Sequence, residues 1–96
     1  MKRTTFILDT KTEFLKYLKS RFPLFHLSNV FFRDVHYGIM SYLVEHGMRT
    51  SYPQAEEVAR AVTAALEKDG VLKRINSQTW LLMYSEFALP RIQKSA

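Results

Sequence analysis

The stretch that most constrains this chain runs from Pro53 to Tyr84. Ala55, Val58, Ala59, Val62, Ala65 and Leu66 recur at the i, i+3, i+4 spacing of a helix with one apolar face. Ser51 and Gln54, with Pro53 between them, have the form of a capping box at its start. Gly70 stops it, because glycine takes the left-handed conformation that closes a helix without a Cβ clash. Residues 71–75 and 79–84 then read as two strands joined by the turn formers Asn76 and Ser77 and by Gln78. Trp80, Leu82 and Tyr84 alternate with Leu81 and Met83, so both faces of the hairpin carry apolar groups. Such a unit needs cover, and residues 1–52 must supply it.

The run Thr4-Thr5-Phe6-Ile7-Leu8 is β-prone and predicts a short N-terminal strand that adds a third member to the hairpin. Thr10 with Glu13 forms a second capping-box pattern, and Phe14, Leu15, Leu18 and Phe22 share one face of a helix over about 11–21 that Pro23 stops. Lys16 and Lys19 lie opposite. Ser28 or Asn29 can cap a further segment to His46, closed by Gly47, which reads as one helix over 29–46 or as two merged. Phe31, Phe32, Val35, Ile39, Tyr42 and Leu43 make its apolar stripe, yet Val30, Tyr37, Met40 and Val44 sit on the far side. A surface helix normally has a polar back. This one is therefore central, or carries a second interface in which Tyr37, Met40 and Val44 are candidate contacts of a homodimer. Residues 85–89 return over the domain with Phe87 as anchor. The expectation is an α+β fold in one domain over 1–90, with three helices, a C-terminal hairpin and a tail at 91–96.

Composition bounds the function. With 96 residues, 47% of them hydrophobic, and 13 aromatics, the chain can bury one core. It has no Cys, so disulfides and thiolate metal sites are excluded, which fits a reducing, cytoplasmic setting. No apolar run approaches the ~20 residues of a membrane span. The net charge is +5, but residues 53–70 hold two basic and four acidic residues, so the positive charge lies toward the two ends of the sequence.

The junction Leu66-Glu67-Lys68-Asp69-Gly70-Val71-Leu72-Lys73-Arg74 resembles the point where the third helix of a winged helix-turn-helix domain enters its wing. The resemblance covers residues 29–84. It implies a small nucleic-acid-binding protein of the transcription-associated kind, with 53–69 as recognition helix and 71–84 as wing. Arg49, Ser51, Tyr52 and Gln54 in the first turn, and Lys73 and Arg74 at the base of the wing, are the nucleic-acid contacts so implied. Lysines and arginines on an edge strand also serve simply to deter unwanted pairing. Glu56, Glu57 and Glu67 on the same helix repel phosphate. The alternative is a winged-helix-like protein-interaction module or homodimeric scaffold. One continuous basic face favours DNA, and basic groups broken up by these carboxylates favour protein.

Chemistry-bearing motifs are missing. His26, His36 and His46 are spaced ten apart, so a helix does not bring them to one face as i, i+4 metal ligands require. No Ser has a matching base and orienter, and no Gly-rich phosphate loop is present. The reading is a non-enzyme with no cofactor and no metal. Trp80 and Tyr84 are read as core rather than as a base-stacking platform.

Overall fold

A computed structural model describes residues 2–88. Its elements run α1 (Lys2–Asp9), α2 (Lys11–Arg21), β1 (Asn29–Phe31), α3 (Phe32–Glu45), α4 (Tyr52–Lys68), β2 (Leu72–Asn76) and β3 (Thr79–Leu82), with a 3-10 turn at Ser85–Phe87. The architecture is α+β, with four helices and one antiparallel sheet in the order β1-β3-β2. The predicted tail at 91–96 lies outside the described residues.

The central helix forms as its pattern predicts. The Ser51 hydroxyl accepts from the Gln54 N–H at 3.2 Å, and the Gln54 Oε1 accepts from the Ser51 N–H at 3.0 Å, closing the capping box. Ala55, Ala59 and Val62 are fully buried, and the two alanines let neighbouring backbones approach. Beyond Asp69, Gly70 takes φ +82° and turns the chain into β2. Five residues separate Gly47 from Pro53. There the chain reverses at Gly47, φ +80°, between α3 and α4.

Helix α2 has the predicted bounds and buries Phe14, Leu15 and Leu18. It lies close to α3 because Gly38 has no side chain: a Cβ there would collide with Leu18 Cδ2. The core is continuous from Phe14 and Ile39 through Tyr42, Leu43 and Val62 to Trp80 and Leu82. Phe14 meets Tyr42 edge-on at 5.1 Å, an arrangement in which one ring's positive edge faces the other's negative face.

Three expectations need correction. Residues 4–8 belong to helix α1, not to a strand, because Ile7 is buried as one face of that turn and Phe6 packs on Tyr42 and His46. The third strand is instead Asn29–Phe31. Val30 faces Trp80 in register, and Val30 is buried between exposed Asn29 and Phe31. The 29–46 segment is thus a strand followed by a helix, and neither one helix nor two. Thr10 also makes no cap bond. Its Oγ1 turns back to the Phe6 carbonyl at 2.9 Å and pairs with the Tyr42 hydroxyl at 2.7 Å, since α1 abuts α2 directly.

The second strand of the hairpin ends early for a local reason. Met83 N–H still reaches the Val71 carbonyl, but Tyr84 N–H donates to His26 Nδ1, which draws the chain off the sheet. Phe87 then anchors the return, as expected, and His26 N–H donates to its carbonyl.

Candidate functional site

The six residues implied for nucleic-acid contact fall into two groups, one at each end of α4. Arg49, Ser51, Tyr52 and Gln54 surround its start, whereas Arg74 sits beside Glu67 near its end. The two are about 20–25 Å apart along the helix.

At the start, Arg49, Thr50, Ser51 and Gln54 line an open cleft together with Arg3. Sequence reasoning missed Arg3. It is brought there by α1, and its Nη2 donates to the Arg49 carbonyl at 2.7 Å while its Nε donates to Thr50 Oγ1 at 3.2 Å. Nothing local in the sequence links positions 3 and 49. The polar side chains of Ser51 and Gln54 are spent on each other in the cap. Tyr52 is half-exposed, with its ring 4.3 Å from that of His36 and 6.3 Å from that of Tyr37. The adjacent Tyr37 phenol pushes the Tyr52 phenol above its ordinary range. His36 is buried beneath this pair, its Nε2 3.0 Å from the Tyr52 carbonyl.

Beside the hairpin, Arg74 is locked in place. Its Nε and Nη2 donate to the two oxygens of Glu67 at 3.2 and 3.0 Å, and its guanidinium lies 5.1 Å over the Trp80 ring. Hydrogen bonding from Arg74 holds the Glu67 carboxyl below its ordinary range. Among the described residues the buried Trp80 indole N–H meets no acceptor in hydrogen-bonding geometry, but it lies near enough to this carboxylate to favour the charged form too. Lys73 is exposed in β2 opposite Leu81. Between the two groups, Arg60 pairs with Glu56 at 2.8 Å and covers the Phe32 ring at 5.0 Å. The basic groups along α4 are therefore interrupted by Glu56, Glu57 and Glu67.

Besides Tyr52, apolar groups among the described residues remain uncovered on α3 and on the sheet. On α3, Tyr37 and Val44 are 47% and 57% exposed, and Met40 is half-buried against the core. Outside the sheet, Phe31, Ile75 and Met83 are exposed around half-buried Leu81, with exposed Leu27 beside them. A pattern of this kind was visible in the two-faced alternation of the hairpin.

Among the described residues, no group of three or more His, Asp or Glu is placed to hold a metal ion. The three histidines stand in separate settings, on the Tyr84 amide, the Tyr52 carbonyl and the Tyr42 carbonyl. No helix among the described residues is long and apolar enough to cross a membrane. Comparisons with protein-family models, with curated proteins and with solved structures give no match.

Proposed function

We propose that the chain is a winged-helix-like domain that works as a protein–protein interaction module, binding without catalysis. The fold half of this reading is supported by the α3–α4 pair reversed at Gly47, by the hairpin that follows Gly70, and by the strand before α3 that completes the sheet. The functional half rests on one observation. Two of the cations on α4 and the hairpin are already paired, Arg60 with Glu56 and Arg74 with Glu67, which leaves Lys68 and Lys73 as the exposed ones there. A phosphate backbone would have to break those pairs and meet the released carboxylates. Large apolar side chains stand exposed elsewhere, and such groups gain more from a protein partner than from phosphate.

Fluorescence anisotropy with a mixed-sequence duplex at about 50 and 200 mM salt tests this reading. The expected result is weak binding with little salt dependence. A slope of several units in log affinity against log salt overturns it. A second reading, duplex contact through the first turn of α4, is favoured by the proximity of Arg3 and Arg49 there. On that reading, replacing both arginines by Ala lowers the salt slope by about two.

A further inference from the structure

The interaction reading leaves the partner open. The exposed face of α3 supplies one. At about 100° per residue, Arg33, Tyr37 and Val44 fall on one line along the outside of α3, with Met40 and Ser41 on either side of it. Arg33, Tyr37 and Val44 are exposed, and Met40 and Ser41 half-buried. The ends of this line differ in charge. Arg33, in the first turn, makes no ion pair among the described residues. Glu45, at the other end, receives Arg21 and Tyr17 on its Oε2 only, so its Oε1 has no partner among the described residues.

We infer that α3 packs antiparallel against α3 of a second copy, about a two-fold axis passing near Met40 and Ser41. With the axis there, Tyr37 of one copy lies opposite Val44 of the other. Arg33 lies level with residue 48 of the other copy, within one turn of Glu45, and its guanidinium can reach the open Oε1. A parallel pairing would set Arg33 against Arg33. Antiparallel pairing brings opposite charges together at both ends and opposes the two helix dipoles. Ser41 is small, which lets the backbones approach at the axis.

The outer face of the sheet is the competing surface, and charge decides against it. It carries Lys73 and no carboxylate along β1, β2 and β3, so a second copy offers it no counter-charge. One face of a 14-residue helix is smaller than the ~800 Å² per partner of a standard interface, which places the dimer among weak, transient contacts.

This inference rests on the interaction reading and specifies its partner. The test is sedimentation equilibrium of the full chain from about 10 μM to 1 mM. The expected result is a mass rising with concentration from 11.3 kDa toward twice that value. Val44→Glu, at an exposed position where folding is kept (checked by circular dichroism), shifts the midpoint at least tenfold. Arg33→Glu shifts it by a smaller factor, and Phe31→Glu, on the sheet, leaves it unchanged. A monomer at every concentration overturns the pairing. So does a dimer that survives Val44→Glu or is lost in Phe31→Glu. A monomer that also ignores DNA sinks the self-pairing alone, whereas strongly salt-dependent DNA binding sinks the interaction reading beneath it.

Discussion

Helices α3 and α4 are neighbours with opposite outer surfaces. Beyond its first turn, where Tyr52 stays half-exposed, helix α4 is finished on the outside: its apolar face is buried, and its outward charges largely answer one another through Glu56–Arg60 and Glu67–Arg74. Helix α3 is finished only on the inside. It buries Val35, Ile39, Tyr42 and Leu43 and leaves Tyr37 and Val44 in solvent. An amphipathic helix facing water has no further use for apolar groups. The contrast locates the unsatisfied apolar surface on α3 rather than on α4.

Adjacent positions on α3 give the sharpest way to break this contrast. Leu43→Ala, at a fully buried site, is expected to cost about 2–5 kcal/mol in urea unfolding. Val44→Ser, one residue on, is expected to change stability by less than about 0.5 kcal/mol. Equal costs would mean that Val44 is part of the core and that the two-faced description is wrong. Next, Gly38→Val forces a branched side chain into Leu18 and is expected to cost about 1–3 kcal/mol by the same measurement. A neutral result would show that α2 can move away from α3. On the α4 side, Ser51→Ala removes one arm of the capping box and should cost about 1 kcal/mol.

The smallest effect concerns acid. Arg74 holds the Glu67 carboxyl below its ordinary value of 4.5, so the folded form binds that proton less readily than the unfolded form does. Its stabilisation is complete above about pH 4.5 and is lost as the pH falls through the lower folded value. Glu67→Gln should therefore lower the urea midpoint at neutral pH, and the gap from the unaltered chain should close in acid. A constant gap would show that the pair contributes nothing through charge.

Much of the fold was legible where the signal is local. The Ser51–Gln54 box, the Gly70 stop and the 11–21 helix need only neighbouring residues to specify them. The errors came where distant partners decide. Thr4 to Leu8 has strand propensity, but Ile7 is worth more buried as part of a helix, and propensity is a weak prior against burial. Asn29-Val30-Phe31 is too short for period 2 to be told from period 3.6, and only Trp80, fifty residues on, makes it a strand. The candidate surface shows the same divide. The apolar outer face of α3 could be read from spacing. That Ser51 and Gln54 spend their side chains on each other, that Arg74 is held by Glu67, and that Arg3 stands beside Arg49 depend on contacts no pattern in the sequence announces.

The pairing of β1 with β3 also sets an order of events. β1 has no other strand to bond to in the sheet, and β3 begins only at Thr79. While the chain is being made, α2, α3 and α4 can all be complete while Val30 still lacks its cross-strand neighbour Trp80. The hairpin closes over a handful of residues, but docking β1 onto it closes a loop of about fifty, which is entropically the dearer step. Assembly of the sheet is therefore a late event in the biogenesis of this domain, and Val30 stays open to wrong partners until the last strand arrives.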